Sequence, residues 1–242
     1  MRKETGQNIT PPLPLKERRQ RYRQEMVNDI LSVARDVMQE QGVAALNLNE
    51  VARRLGISGQ ALAKYFPNKA ALYEVLFLMG LRLFREAEEE IWRTTKPDWE
   101  RIRQWFERRF SLACEYPDLY HLIWEFSVPG FTRSEAIQED IRLMIGGVRR
   151  GIGEVIEVGV IEAGMPSDRV VDILLTVRHG IIAEHMGKRD FLPPDTDRFH
   201  SLIPDILAVF QQAWAPKHKS APPKVDGVAS SEVDEKKGDA IP

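Results

Sequence analysis

The sequence predicts an all-α fold with two helical domains. Apolar residues recur with helical spacing through most of residues 23–215, and no alternation of apolar and polar residues is long enough to predict a sheet. Gly, Pro, Asn, Asp and Ser interrupt this pattern where helices would begin and end. With 242 residues and 43% hydrophobic content, the chain can bury one large or two small cores.

The first four predicted helices lie within residues 23–84, the first of the two domains. The first helix has one apolar face, from Val27 to Met38, and the next two helices are short. A polar residue that can accept a hydrogen bond from the first helical turn precedes each of the last three. The predicted N-caps are Asn47, Ser58 and Asn68, and the predicted helix ends are Gly42, Gly56 and Pro67.

The second predicted domain, residues 85–215, holds five more helices. One follows Asp98, and the next runs from Pro117 to near Phe126. A long helix covers Ser134 to Ala163, because Gly164 and Pro166 provide the first strong stop signal. The remaining two begin at Ser167, ending near Gly187, and after Asp197, ending near Trp214; Pro204 either starts or bends the last one.

Disorder is predicted at both ends of the chain. Residues 1–22 are polar and contain Pro11, Pro12 and Pro14, which oppose helix formation, so this segment is expected to be disordered or a basic arm. Residues 216–242 carry proline, serine and charged residues without an apolar face, which predicts a disordered tail.

The composition limits the class of protein. Cys114 is the single cysteine, which excludes an internal disulfide framework and a cysteine-based zinc site. No signal-peptide pattern and no run of about 18 apolar residues is present. We therefore expect a cytoplasmic protein with no membrane partner. His121 and Glu125 could supply half of a metal site, but no third ligand is evident, so no metal and no cofactor is expected.

The net charge of −2 conceals an asymmetry. Residues 1–70 hold 12 Lys and Arg against 7 Asp and Glu, whereas the remainder holds 22 against 29. A basic N-terminal region on an acidic body is the distribution expected when one end of a protein contacts phosphate. Chance clustering can produce the same distribution, so charge alone leaves nucleic-acid binding open.

Residues 47–66 have the pattern of a helix-turn-helix. Two short helices meet at Gly56, which can adopt the left-handed backbone conformation of a tight turn, and Ala52 is small where the helices cross. In this motif the second helix enters the major groove of DNA and reads base edges near its N-terminus. Gln60 is the best candidate for base readout, because its amide can pair with adenine through two hydrogen bonds.

The other candidate DNA contacts are to phosphate or to the groove. Lys64, Tyr65 and Lys69 suit phosphate, and the N-termini of the second and third helices offer backbone N–H groups. A basic run before the first helix could act as an arm along the DNA, or could be a solvated charge cluster. The full predicted set is Asn47, Asn49, Ser58, Gly59, Gln60, Ala61, Lys64, Tyr65, Lys69, Arg19 and Arg21.

The segment Gly56-Ile57-Ser58-Gly59-Gln60-Ala61-Leu62-Ala63-Lys64-Tyr65-Phe66-Pro67-Asn68-Lys69 resembles the TetR family of transcriptional regulators. The resemblance covers about residues 23–84. It departs from the family at Ala61, where Thr is common, and at Ala63, where a Tyr often contacts the DNA backbone. The second departure puts one phosphate contact in doubt and leaves open whether Tyr65 replaces it.

The resemblance implies a second domain that binds a small ligand and forms a homodimer on a palindromic operator, most simply as a repressor. The sequence adds an argument for the dimer, because the helices at 167–187 and 198–214 are apolar on two sides and so need two partners. Complete burial inside one protomer is the alternative. Aromatic and polar residues at helical spacing suggest an apolar ligand pocket, or simply core. They are Trp105, Phe106, Phe110, Trp124, Phe126, Met144 and His179.

Two other classes of protein are alternatives to this interpretation. A helical enzyme would need a catalytic constellation, and none is recognisable; Cys114 fits a small core residue, and the glycines at 146–153 lie in a helical pattern with no preceding strand. A protein-interaction module without DNA binding would not need the basic first domain. We therefore expect a regulator without enzymatic activity.

Overall fold

The computed structural model describes residues 14–125, 128–188 and 198–216. Within these ranges the chain forms nine α-helices and no β-strand, which confirms the all-α prediction. A 3-10 turn at Val43–Ala45 follows the first helix, and a π-helical turn at His121–Glu125 follows the sixth. The helices are α1 (Leu15–Gln41), α2 (Leu48–Arg54), α3 (Gly59–Ala63), α4 (Lys69–Thr94), α5 (Trp99–Glu115), α6 (Pro117–Tyr120), α7 (Glu135–Glu157), α8 (Ser167–Lys188) and α9 (Leu202–Trp214).

Local capping explains where most of these helices begin. The side chains of Asn47, Ser58 and Asn68 accept hydrogen bonds from backbone N–H groups in the first turns of α2, α3 and α4. Asp98 and Ser134 do the same for α5 and α7. Each bond satisfies one of the N–H groups that a helix start leaves without an internal partner. The three N-caps predicted for α2, α3 and α4 are confirmed.

Helix α4 joins the two predicted domains as one continuous element. It begins beside the helix-turn-helix, and its buried residues extend from Leu72 to Ile91. At Gly80 it approaches the segment after α5 so closely that an added Cβ would lie 2.6 Å from Ile123 Cδ1. The start of α4 is therefore mechanically connected to the helices that follow it.

Leu15 to Tyr22, which the sequence analysis placed in a disordered or basic arm, are helical, so they are not disordered, and their role as a basic arm stays a prediction. These residues form the first two turns of α1, directly after Pro14, whose φ of −53° suits a helix start. The segment lacks Pro and Gly, and an ion pair at helical spacing, Arg21 Nε to Glu25 Oε1 at 2.8 Å, supports it. Residues 1–13 and 217–242, including most of the predicted tail, lie outside the described residues.

Helix α7 ends at Glu157, six residues before the predicted end at Ala163. Gly159 adopts a φ of +78°, its N–H donates to Ile156 O at 2.9 Å, and Val160 N donates to Val155 O at 3.2 Å. These two bonds form a Schellman motif, which terminates a helix at a left-handed glycine. The apolar sequence continues beyond that point, so hydrophobic periodicity alone placed the end too late.

The two apolar rows of α8 fit the alternative of burial inside one protomer better than the prediction that one row packs against a second copy. Val170, Leu174 and Ile181 on one row are buried, and so are Val171 and Ile182 on the other. The remaining members of the rows, Val177 and Leu175, are half-buried. Both rows pack within a single protomer, because helices of the second domain surround α8 on these sides.

Helix α9 behaves as predicted in part. It starts at Leu202, so Pro204 lies in its first turn, where a missing N–H costs no internal hydrogen bond. Ile203, Leu207 and Trp214 are buried in the protomer, whereas Leu202 is 40% and Val209 64% exposed. A second apolar stripe therefore remains uncovered on α9.

None of the helices in the described part of the chain combines the length and the hydrophobicity that crossing a bilayer requires.

Candidate DNA-binding surface and ligand cavity

Helices α2 and α3 meet in the predicted tight turn. Gly56 has a φ of +68°, its N–H donates to Arg53 O at 3.2 Å, and Ile57 N donates to Ala52 O at 3.0 Å. This is again a Schellman termination, and it needs a residue without a Cβ at Gly56. The turn sets the direction in which α3 leaves α2.

The N-terminal end of α3 presents polar groups to solvent. Asn49 lies beside it, since a Cβ added to Gly59 would be 3.9 Å from Asn49 Oδ1. The structure therefore brings together residues that the sequence analysis selected separately. The predicted contacts that are exposed are Asn47, Asn49, Ser58, Gly59, Gln60 and Lys64, and those that are half-buried are Ala61, Tyr65 and Lys69.

Two of the predicted cationic residues have internal partners. Lys69 Nζ donates to Ala44 O at 2.9 Å and lies 5.2 Å from the centre of the Tyr73 ring, so it also fixes the 3-10 turn. Arg21 pairs with Glu25, whereas Arg19 is exposed. The basic start of α1 is near α3, because the Arg23 guanidinium lies 5.6 Å from the centre of the Tyr65 ring.

An ion-pair network that the sequence analysis missed holds α2 against α1. Arg54 donates to Glu40 on α1 at 2.6 Å and to Glu50 on α2 at 2.8 Å, and Arg53 also donates to Glu50. Hydrogen bonds from the two arginines lower the pKa of Glu50 to about 2. Glu50 therefore stays ionised over the physiological range and helps to position Arg54, whose bond to Glu40 links α2 to α1.

A second feature, a cavity of about 480 Å³, lies between α5, the π-helical turn, α7 and α8. We call it the α5–α8 cavity. This volume is typical of sites for small organic ligands. Its apolar walls include Ile141, Ile145, Val148, Leu175 and Ile182, and its polar and aromatic lining comprises Arg109, Tyr120, Trp124, Arg133, Met144, Thr176, Arg178 and His179.

Three predicted ligand residues line this cavity, and three do not. Trp124, Met144 and His179 are part of the wall. Trp105, Phe106 and Phe110 are buried in the core beside it, because helical periodicity marks a buried face without distinguishing core from cavity wall. Phe126 lies outside the described residues.

A buried charge cluster at the cavity wall was not predicted. Glu88, Arg109 and Arg178 are 2%, 3% and 6% exposed. One oxygen of Glu88, Oε1, accepts from Arg109 Nε at 2.9 Å, from Arg109 Nη2 at 2.5 Å and from Arg178 Nη1 at 2.7 Å. Among the described residues, the other oxygen has no hydrogen-bond partner. The cluster carries one net positive charge.

Aromatic rings support both guanidinium groups. Arg178 lies 3.7 Å from the centre of the Trp105 ring, and Arg109 lies 4.4 Å from that of Trp124. Burial opposes the ionised form of Glu88, but the two arginines outweigh it and hold its pKa below the ordinary value. Burial is the main reason that the pKa of Arg178 falls to about 10, so it remains charged near neutral pH.

Tyr120 and His179 add a neutral polar pair to the wall. The Tyr120 hydroxyl and His179 Nδ1 are 2.8 Å apart. Desolvation lowers the pKa of His179 and raises that of Tyr120, which favours the uncharged form of each side chain at neutral pH. Of the pair considered as half a metal site, His121 and Glu125 hydrogen-bond each other.

The cavity is joined to the first domain through α6. Asp118 accepts from Arg35 Nε at 2.7 Å, from Arg35 Nη2 at 3.0 Å and from Gln39 Nε2 at 2.9 Å. Both donors belong to α1, whereas Tyr120, Ile123 and Trp124, which follow Asp118 in the chain, line the cavity. One short segment therefore touches both the cavity and α1.

Comparison with known protein families gives a match to the N-terminal helices. Residues 30–76 match the model of the family described as bacterial regulatory proteins, tetR family. A search of curated protein sequences gave no significant match.

Several solved structures share the fold at low sequence identity. A protein of unknown function from Rhodococcus sp. RHA1 is 21% identical, with 78% of this chain and 95% of that chain covered and a TM-score of 0.64. The transcriptional regulator FadR from Bacillus subtilis, solved in complex with stearoyl-CoA, is 16% identical, with 77% and 98% covered and a TM-score of 0.62. The TetR family regulator PfmR from Thermus thermophilus is 18% identical, with 76% and 97% covered and a TM-score of 0.56.

The family match falls on the helices that form the helix-turn-helix, and the shared fold extends over the helices that surround the cavity. Residues 30–76 therefore form a DNA-binding domain of the tetR family type, and the chain shares its fold with the solved structures named above.

Proposed function

We propose that this regulator binds a palindromic operator as a homodimer, represses transcription there, and is released by a small, largely apolar ligand held in the α5–α8 cavity. The observation that carries the proposal is the placement of Asp118 and Tyr120 on one segment, bound to α1 on one side and lining the cavity on the other.

The proposal assigns DNA reading to the exposed start of α3. Gln60 is the base-reading residue, and Lys64 contacts phosphate, together with the exposed N-termini of α2 and α3. Arg19 and the start of α1 add charge along the DNA backbone. Lys69 contributes chiefly by holding the 3-10 turn, since its ammonium already bonds to Ala44 O.

The proposed dimer uses the uncovered side of α9. Leu202, Ile206, Val209 and Ala213 are spaced as one helical stripe, and Leu202 and Val209 are well exposed in the protomer. On α8, Gly180 and Gly187 are exposed, and nothing lies within 4 Å of a Cβ added to either. A second copy can therefore approach both helices closely, and an isologous interface gives the two-fold symmetry that a palindrome requires.

The proposed response to ligand is a shift between two arrangements of α6. A ligand against Tyr120 and Trp124 changes the position of the π-helical turn, which is tied to α4 at Gly80 and to α1 through Asp118. Moving α1 and α4 changes the separation of the two α3 helices from the roughly 34–36 Å that adjacent major grooves require. The ligand must bind one arrangement more tightly than the other for this to occur.

No catalytic role is proposed for the cavity. Its neutral Tyr120–His179 pair and its arginines suit binding, and the family comprises regulators. The alternatives of a helical enzyme or a module that does not bind DNA predict no sequence preference for DNA.

The oligomeric state tests the dimer separately from DNA binding. Val209→Glu should convert the protein to a monomer in sedimentation experiments, because it places a charge in the proposed interface. Gln211→Glu is the matched control, since this exposed residue lies on α9 away from the stripe. A dimer that persists in Val209→Glu would contradict the proposed interface.

Operator binding is tested by fluorescence anisotropy on a DNA sequence selected from a random pool. We expect the logarithm of the affinity to fall steeply with the logarithm of the salt concentration, with a slope that corresponds to several neutralised phosphates. We also expect a clear preference for the selected sequence. Equal affinity for all sequences at physiological salt would contradict the proposal.

A further inference from the structure

The α5–α8 cavity has an excess of positive charge. Its lining includes Arg109, Arg133 and Arg178, and no Asp or Glu is among the described residues that line it. Glu88 contacts Arg109 and Arg178 and neutralises one of their two charges. An apolar ligand would leave this excess charge without a counter-charge.

The positions of the arginines favour a ligand group that accepts hydrogen bonds. A guanidinium carries five N–H donors on three nitrogens. Glu88 engages two nitrogens of Arg109 and one of Arg178, and both side chains also face the cavity. Arg133 is exposed at the cavity wall, with its guanidinium 5.3 Å from the centre of the Phe77 ring. Charged donors thus occupy the inner wall and the outer part of the cavity.

The rest of the wall is apolar. Ile141, Ile145 and Val148 on α7 face Leu175 and Ile182 on α8 across the cavity, with Trp124 and Met144 beside them. A ligand that fills this volume needs an apolar body as well as a charged end, and 480 Å³ accommodates a small organic molecule.

We propose that the effector is an amphipathic anion, an apolar chain or ring that bears a carboxylate, and that Arg178 and Arg109 hold the carboxylate while Arg133 attracts it at the cavity entrance. This inference rests on the proposed function, because it specifies the ligand of the same cavity. Buried ion pairs are favourable only when both charges are present and hydrogen-bonded. Because Glu88 balances only one of the two buried arginines, a ligand carboxylate beside Glu88 would balance the other.

The test compares straight-chain carboxylates of increasing length with the primary amide of each length, which has nearly the same shape but no charge. Binding to the full-length protein is measured by calorimetry, without DNA. We expect at least one carboxylate to bind, about tenfold or more tighter than its amide, since charge-assisted hydrogen bonds exceed neutral ones by roughly that factor. Failure of every carboxylate to bind, or equal affinity of acid and amide, would overturn the proposal.

Two variants locate the charge recognition. Arg178→Gln leaves Glu88 paired with Arg109 alone, so the charges balance and the preference for carboxylate over amide should fall to within about twofold. Arg133→Gln replaces an exposed side chain, so the variant should fold normally. It should weaken carboxylate binding several-fold with little effect on amide binding. Arg142→Gln is the control, because Arg142 is exposed and pairs with Glu139 outside the cavity lining. An undiminished preference in both cavity variants would contradict the assignment.

Measurements of ligand binding and of operator binding distinguish failure of the proposed ligand class from failure of the proposed function. If a carboxylate binds selectively but leaves operator affinity unchanged, the ligand class stands and the release mechanism fails. If an amide binds as tightly as its acid and still weakens operator binding, the release mechanism stands and the ligand class proposed here fails.

Discussion

The bond between α1 and α6 is the part of the structure whose energetic consequence can be worked out most directly. We predict that Arg35→Met strongly destabilises the protein. Asp118 is fully buried at its side chain, and Arg35 supplies two of the three hydrogen bonds that it accepts. The hydrogen bond with Asp118 is the main cause of the raised pKa of Arg35, so the guanidinium stays charged at every working pH.

Removing one partner of a buried ion pair costs about 3–5 kcal/mol, because the remaining charge stays dehydrated. The Arg35 side chain is 23% exposed, so water can partly replace it, and Gln39 remains as a donor. The lower end of that range therefore applies. Loss of the stacking of Arg35 on Tyr116, at 5.0 Å, adds roughly 0.5–1 kcal/mol. The expected total is about 3–4 kcal/mol.

Urea denaturation at fixed protein concentration measures this cost as a lower midpoint with an unchanged slope. The control Arg142→Met removes an exposed ion pair and should change the free energy of unfolding by less than about 0.5 kcal/mol. The double variant Arg35→Met, Asp118→Leu should recover most of the loss, because no buried charge remains. A cost below about 1 kcal/mol for Arg35→Met would show that Asp118 does not depend on this ion pair.

Three further predictions concern other parts of the chain. Gly151→Ala should destabilise by about 1–3 kcal/mol in thermal denaturation, because its Cβ would overlap the Trp92 ring, whereas Gly146→Ala, with nothing within 4 Å, should be neutral or stabilising. Gln60→Ala should weaken the free energy of binding to the selected operator by roughly 1–3 kcal/mol and relax the sequence preference. A uniform loss of affinity across all sequences would contradict its role in base reading. Desolvation lowers the folded-state pKa of His179 below 6.5, so its contribution to stability is complete above that value and falls as the pH drops through it. When the pH is lowered from about 7.5 to about 5.5, the free energy of unfolding should therefore fall less in His179→Gln than in the wild type. Equal falls in the two proteins would contradict the lowered pKa of His179.

The helix-turn-helix was predictable because its signals are local. Asn47 and Ser58 cap helices that begin one residue later, and Gly56 must have a positive φ whatever surrounds it. Each of these features depends on neighbours within a few positions. Family resemblance over the same residues then added the DNA-binding role.

Helix ends without a strong stop signal were less predictable. In α7 the apolar pattern runs past Gly159, and the later Gly164 and Pro166 looked like the better terminator. The start of α1 was obscured in the same way, since a run of charged residues after Pro14 suits either a solvated arm or an exposed helix. The end of α7 is decided by the left-handed turn at Gly159, and the start of α1 is supported by side-chain pairing along the helix; hydrophobic periodicity contains neither signal.

The charged part of the cavity could not be predicted from local pattern. Arg178 and Glu88 are 90 positions apart, and each looks like a solvent-facing residue in its own helix. The one available signal was an arginine within α8, a helix that is apolar on two sides. A buried charge in such a helix requires a partner from another element, but nothing in the sequence says which one.

The proposed homodimer uses two copies of α3 to read a two-fold symmetric DNA site. Selection of bound fragments from a random DNA pool by the full-length protein tests it most directly. We expect enrichment of a palindrome whose half-site centres are about 10 base pairs, or a multiple of that, apart. Enrichment of no sequence, or of an asymmetric site bound by a single copy, would contradict it.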